Sequence, residues 1–146
     1  MKLLIGSDHA GYERKQALVR FLSGQGWEVE DVGTHSPEST DYPEYAVAVA
    51  RRVAQGEAEG GILLCGSGNG VCITANKVPG VRAALAWNPE LARLARAHND
   101  ANILCLPARF VTDEEAIAIV RAWLEATFEG GRHARRVQKI HELTGR

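Results

Sequence analysis

A repeated alternation of short apolar runs with longer amphipathic segments constrains the fold of this chain more than any other feature. Five runs have the length and apolar content of strands, and each is followed by a segment whose apolar residues have helical spacing. The predicted strands are residues 2–7, 27–32, 61–65, 81–86 and 101–106. Strands that alternate with helices in this way form a parallel sheet covered on both faces, with right-handed crossovers. The expected fold class is therefore α/β, a three-layer α/β/α sandwich with a five-stranded parallel, Rossmann-like sheet.

The helical segments carry recognisable start and stop signals. The predicted helices are residues 11–23, 45–55, a short helix that ends at residue 75, 88–98, 112–128 and an extra C-terminal helix, 132–143. Asn88 before a proline is typical of a helix N-terminus, and Thr112 with Glu115 is a capping box. Pro37 and Pro43 predict a long irregular loop before the second helix.

Length, charge and cysteine content restrict the class of protein. The chain has 146 residues, of which 45% are hydrophobic, which suits a single domain (residues 1–146) with its own core. A formal net charge of -1 carries no signature of a nucleic-acid partner or an anionic membrane. Because no apolar run spans a bilayer and the start has too short an apolar core for a signal peptide, we expect a cytoplasmic protein. Three cysteines, an odd number, argue against a disulfide framework.

Polar residues cluster in the loops that follow the predicted strands. In a parallel sheet, ligands bind beyond the carboxyl ends of the strands, where the strand order reverses. The richest loops follow the first strand, with Asp8 and His9, and the third strand, with the sequence GSGNG at residues 66–70. A reversal between strands one and three would bring these two loops side by side, so we expect the functional site there.

The glycine loop at residues 66–70 has the composition of an anion cradle. Its three glycines let backbone N–H groups turn inward, and the following helix N-terminus adds partial positive charge. A plain tight turn is the alternative. The loop matches neither a dinucleotide fingerprint nor a P-loop, and Val71 stands where a cysteine phosphatase has arginine. Cys65 faces the same helix N-terminus, a setting for a reactive thiolate, although most free cysteines are buried apolar residues.

Five side chains are candidates on local grounds. His98 lies in the last turn of a predicted helix, where a protonated histidine interacts favourably with the helix dipole. Arg132 and Arg136, one turn apart, form either a solvated basic face or a phosphate clamp that Arg109 would join. Asp8 in the first loop is either a helix cap or a catalytic group. The histidines and cysteines lack HxxxH and CxxC spacing, so we predict no metal.

Five stretches together resemble one known family. They are SDHAGYERK, DYPEYA, GGILLCGSGNGVCITANKVPGVRAAL, AHNDAN and EGGRHARRVQKI. Their order and spacing are similar to those of the ribose-5-phosphate isomerase B and galactose-6-phosphate isomerase family over residues 2–140. The resemblance implies an aldose–ketose isomerase that needs no cofactor and works by ring opening and an enediolate. The implied reaction interconverts ribose 5-phosphate and ribulose 5-phosphate in the non-oxidative branch of the pentose phosphate pathway.

The same resemblance implies roles for the reacting groups. In one branch of the family the base is a cysteine at the Cys65 position; in another that position is glycine, and a glutamate stands at the Val71 position. Because this chain has the cysteine and lacks the glutamate, the implied base is Cys65. By the same likeness, His98 opens the furanose ring, Ser67 moves protons between the two oxygens, and Asp8 lies near the reacting atoms.

Further positions match the family's binding residues. An anion hole like the family's would be formed by the backbone N–H groups of Gly66, Gly68, Asn69 and Gly70. The side chain of Asn99 would help them. The positions matching its phosphate ligands are His9, Arg132, Arg136 and, more weakly, Arg109. Tyr42 resembles a wall of the pocket, and Asp41 beside it a contact to a sugar hydroxyl.

The resemblance also implies an oligomer, and it leaves two other functions open. Members of the family are dimers or tetramers in which the residues at the positions of His98 and the arginines reach into a neighbour's site, so we expect a homodimer or homotetramer. One alternative substrate class is a six-carbon sugar phosphate, such as galactose 6-phosphate or allose 6-phosphate. Another alternative is a non-enzymatic sugar-phosphate-binding module on the same scaffold, which would need neither Cys65 as a base nor His98 as a ring opener.

Overall fold

One parallel sheet forms the centre of the molecule. A computed structural model describes all residues, 1–146. The strands are β1 (Lys2–Ser7), β2 (Glu28–Gly33), β3 (Gly60–Cys65), β4 (Ala83–Leu85) and β5 (Ile103–Pro107). Their order across the sheet is β2-β1-β3-β5-β4, and all neighbouring pairs are parallel. The predicted reversal between the first and third strands is confirmed, because β1 pairs directly with β3.

Helices cover both faces of the sheet and form the two outer layers. They are α1 (Tyr12–Gly24), α2 (Tyr42–Ala54), α3 (Asn69–Asn76), α4 (Pro89–Asn99), α5 (Asp113–Glu125) and α6 (Arg132–Thr144). Leu3 and Ile5 of β1 belong to the core under α1, α4 and α5, whereas Leu4 belongs to the core under α2 and α3. This alternation confirms the three-layer α/β/α architecture. None of the helices has the length and apolar character needed to cross a bilayer.

The predicted caps form as hydrogen bonds. Asn88 Oδ1 accepts from the backbone N–H of Leu91 at 2.9 Å and so starts α4. Thr112 Oγ1 accepts from Glu115 N at 3.1 Å, while Glu115 Oε1 accepts from Thr112 N at 3.0 Å, which completes the capping box of α5. Both helix starts therefore follow from residues a few positions apart.

Several predicted boundaries are wrong. Helix α2 begins at Tyr42 rather than at residue 45, with Pro43 in its first turn, where a missing N–H costs nothing. Helix α5 ends at Glu125, three residues before its predicted end. Strand β4 is an edge strand that pairs only with β5, and it has three residues rather than six.

The C-terminal helix α6 packs on little of its own chain. Its first turn contacts the end of α4, where His133 is buried. Farther along, Ile140 is 46% exposed and Leu143 is 84% exposed, although both lie at helical spacing on one face. The apolar side of α6 is thus left open by this chain.

Candidate active site

A cleft of about 460 Å³, here called the carboxyl-edge cleft, opens beyond the carboxyl ends of β1 and β3. Because these strands are parallel neighbours, the loops that follow them meet at one edge of the sheet. The lining residues are Asp8, Tyr42, Cys65, Gly66, Ser67, Gly70, Arg109 and Phe110. All of them except Phe110 are candidates from the sequence. Phe110 is 74% exposed and follows Arg109, so its place directly after the last strand was the signal that could have found it.

Cys65 is the last residue of β3 and is 5% exposed. It belongs to the core beneath α2 and α3, and it also lines the carboxyl-edge cleft. The other two thiols are placed differently. Burial raises the pKa of Cys105 inside β5, and the thiol of Cys72 in α3 donates to the carbonyl of Ala83 at 3.5 Å. Cys65 is therefore the thiol that a ligand in this cleft would meet.

The glycine loop has the backbone shape of an anion cradle. Gly68 has a φ of 78°, in the left-handed region, and a Cβ there would stand 2.5 Å from Leu85 Cδ1. Ser67 Oγ accepts from the backbone N–H of Asn69 at 3.3 Å. The N–H groups of Ser67 and Gly68 have no partner in the chain, which leaves them available to an anionic oxygen.

Asp8 and His9 are held by backbone contacts beside this loop. Asp8 is 7% exposed, and its Oδ1 accepts from Gly11 N at 3.2 Å, so it caps a 3₁₀ turn, which is one of the two roles expected for it. His9 Nδ1 lies 3.1 Å from the backbone N–H of Thr40. Nδ1 also lies 3.2 Å from the carbonyl oxygen of Thr40, so this ring nitrogen is held by the backbone of Thr40 and Nε2 is left for a ligand.

Arg109 joins two parts of this edge. Its backbone N–H donates to the carbonyl of Gly66 at 3.1 Å, which ties the turn after β5 to the glycine loop. Its exposed side chain lines the carboxyl-edge cleft and also a neighbouring cleft of about 230 Å³ that contains His9. A guanidinium and an imidazole are thus both within this edge, as a phosphate ligand would require.

Four of the sequence candidates lie elsewhere: His98, Asn99, Arg132 and Arg136. Helix α4 runs back from the end of β4 to the start of β5, so its C-terminus reaches the amino edge of the sheet. The six residues of β3 separate the two edges by roughly 16 Å. Within one chain, therefore, His98 does not meet Cys65.

The amino-edge residues form a group of their own. The rings of His98 and His133 stack with centroids 4.1 Å apart and an interplanar angle of 8°. Glu129 Oε1 lies 3.6 Å from His98 Nε2 and 3.5 Å from His133 Nε2. Burial, with His98 and Arg132 nearby, lowers the pKa of His133. We call His98, Glu129 and His133 the histidine cluster.

Arg132 and Arg136 flank the histidine cluster on α6. Both are exposed, and neither forms an ion pair. Sequence reasoning missed Glu129 and His133, because only the packing of α6 on α4 brings them to His98. The signal available was their own spacing of four residues within EGGRH.

The fold and the cleft define an α/β protein with a polar cleft, beside unpaired backbone N–H groups, at the strand-order reversal of a parallel sheet. The family model for Ribose/Galactose Isomerase matches residues 3–140. The chain belongs to this ribose/galactose isomerase family. It is 49% identical to ribose-5-phosphate isomerase B of Escherichia coli K12, over 99% of this chain and 97% of the relative.

Solved structures of ribose-5-phosphate isomerases B are also similar to this chain. The ribose-5-phosphate isomerase B of Clostridium thermocellum matches with a TM-score of 0.98 and 52% identity, over 99% of this chain and 98% of the other. That of Mycoplasma genitalium, solved with bound ribulose 5-phosphate, matches with a TM-score of 0.95 and 45% identity, over 99% and 96% of the two chains. The fold predicted from the sequence is therefore the fold of these enzymes.

Proposed function

We propose that this protein interconverts ribose 5-phosphate and ribulose 5-phosphate in the cytoplasm, with Cys65 as the base. The observation that carries the proposal is the carboxyl-edge cleft, in which Cys65, Ser67 and Asp8 meet beside unpaired backbone N–H groups. Similarity to ribose-5-phosphate isomerases B over 99% of the chain, at 49% and 45% identity, supports the substrate class.

The chemistry of the cleft suits proton transfer between neighbouring carbons. In the open-chain aldose, the Cys65 thiolate takes the proton from C2, and the electrons of that bond form the enediolate with its negative charge on O1. The N–H groups of the glycine loop stabilise this charge. Ser67 relays the O2 proton to O1, and the thiol returns its proton to C1 to give the ketose. No atom is gained or lost, and no oxidant is needed.

Phosphate binding and ring opening would draw on both edges of the sheet. His9 and Arg109 lie at the cleft edge, whereas His98, Asn99, Arg132 and Arg136 lie at the amino edge. We infer a homodimer, or a homotetramer made of two such dimers, in which each cleft takes its ring opener and further phosphate ligands from a second copy. The free guanidiniums and the exposed apolar side of α6 support this arrangement.

The decisive experiment measures ribulose 5-phosphate formed from ribose 5-phosphate, in the presence of chelator. Cys65→Ala is compared with wild type, and Cys72→Ala is the matched thiol control in the next helix. We expect Cys65→Ala to lose at least about a hundredfold in kcat, the usual value of a positioned base, while it still binds sugar phosphate. Cys72→Ala should remain active.

Three results would revise the proposal. A wild-type protein inactive on ribose 5-phosphate but active on galactose 6-phosphate or allose 6-phosphate would change the substrate. Full activity in Cys65→Ala would remove the base assignment. Binding without turnover of any of these sugars would leave a binding module.

A further inference from the structure

The histidine cluster joins parts of the chain that are far apart in sequence. His98 lies in the last turn of α4, Glu129 in the link between α5 and α6, and His133 in the first turn of α6. The backbone N–H of Glu129 donates to the carbonyl of Ala97 at 2.9 Å, which holds the link against the end of α4. The three side chains are therefore brought together by backbone packing.

The separations within the cluster are close to those of a metal site. Glu129 Oε1 lies 3.6 Å from His98 Nε2 and 3.5 Å from His133 Nε2, and one ligand atom from each residue lies within 4.8 Å of the others. Ligands on a tetrahedral zinc ion, at metal–ligand distances of about 2.0–2.1 Å, stand about 3.3–3.4 Å from one another. The two rings stack at an interplanar angle of 8°, so both must rotate before their Nε2 lone pairs can point to one ion.

His133 supplies a second, independent observation. The residue is 8% exposed, yet its Nε2 is buried and makes no hydrogen bond in the chain. Buried polar nitrogens are nearly always paired.

We propose that His98, Glu129 and His133 form a binding site for a divalent transition metal, with Zn²⁺ as the best match. Two imidazoles and a carboxylate are a known ligand set for zinc and leave a fourth position open to water. The expectation of no metal rests on the absence of regular ligand spacing, whereas these three ligands come from two helices and the link between them. Arg132 and Arg136 oppose a dication, so the site should bind more weakly than a closed structural zinc site.

Zinc at this place would inhibit the enzyme rather than assist it. A metal on Nε2 of His98 takes the lone pair that ring opening needs. This consequence, unlike the site itself, rests on the proposed function of His98.

The test begins with protein freed of metal by a chelator and kept without substrate. Titration with Co²⁺, followed by visible absorption, should show one ion per chain and no thiolate charge-transfer band. Zn²⁺ should displace it. Glu129→Gln and His133→Ala should each weaken binding by about tenfold or more. His35→Ala, at an exposed histidine outside the cluster, is the matched control and should bind as wild type.

Circular dichroism checks that the variants are folded. If His133→Ala unfolds, Glu129→Gln still tests the site, because it changes an exposed side chain. Three results would overturn the site: no binding of Co²⁺ or Zn²⁺, binding that Glu129→Gln leaves unchanged, or a thiolate band that Cys72→Ser removes. Binding with full isomerase activity would keep the metal site and refute the ring-opening role of His98. If added zinc lowers the isomerase activity of wild type and Glu129→Gln reduces this inhibition, the result supports both the metal site and the ring-opening role of His98.

Discussion

The ring of Tyr42 lies directly against Gly70, so that a Cβ on Gly70 would stand 2.4 Å from Tyr42 Cε1. Both residues line the carboxyl-edge cleft, Tyr42 from the start of α2 and Gly70 from the first turn of α3. The tyrosine can form this wall because the residue facing it has no side chain.

Gly70→Ala should therefore impair the cleft more than the fold. Tyr42 is 39% exposed, so its ring can swing outward at little cost in the free energy of unfolding. The displaced wall should weaken sugar-phosphate binding by about tenfold, or about 1.4 kcal/mol. Calorimetric titration with ribose 5-phosphate measures this. Gly24→Ala, where a Cβ meets nothing within 4 Å, is the control; binding losses in both variants would refute the explanation.

A buried lysine should make the fold sensitive to one carboxylate. The Lys15 side chain is fully buried, and its Nζ donates to Asp31 Oδ2 at 2.6 Å. Asp31→Asn leaves the lysine charge buried without its partner, which should cost about 3 kcal/mol in the free energy of unfolding. Lys15→Met should cost less, because Asp31 is 23% exposed and can be hydrated. Urea denaturation of the two variants tests the asymmetry, and equal losses would contradict it.

Acid stability should depend in part on Glu30. Hydrogen bonds from Arg52 and Lys2 lower the pKa of this carboxyl to about 2. A lowered pKa stabilises the folded state at pH values above the ordinary pKa of a glutamate. That contribution disappears as the pH falls from about 4.5 toward 2. Because the side chain is 42% exposed, the contribution should not exceed about 1 kcal/mol.

The measurement for Glu30 is the free energy of unfolding between pH 7 and pH 2. Glu30→Gln should show a smaller decrease than wild type over the acid range. Glu59→Gln, at an exposed glutamate without an ion pair, should follow wild type. If all three proteins lose stability in parallel, the ion pairs of Glu30 contribute nothing.

Mixing two inactive variants should restore activity if each site is shared between chains. A dimer of Cys65→Ala with His98→Asn has one site with both changes and one with neither. After unfolding and refolding at equal amounts, half of the dimers are mixed, so about a quarter of wild-type activity is expected. Each variant refolded alone is the control. No recovery in the mixture would refute a site shared between chains.

The sequence by itself determined the features that depend on residues near one another. Strand and helix order follow from apolar periodicity, and the starts of α4 and α5 follow from Asn88 and from Thr112 with Glu115. The meeting of the loops after β1 and β3 was also predictable, because parallel strands end at the same edge of a sheet. Six of the eight lining residues of the carboxyl-edge cleft are sequence candidates in the segments that end or follow β1, β3 and β5, whereas Tyr42 was expected only from the family resemblance and Phe110 was not expected.

Only the tertiary structure decided how distant segments meet. Tyr42 faces Gly70 because helix α2 begins at Tyr42, with Pro43 in its first turn. The separation of His98 from Cys65 follows from the direction of α4. The histidine cluster exists because α6 folds back on the end of α4, and its contacts depend on the path of the chain rather than on any local pattern of residues.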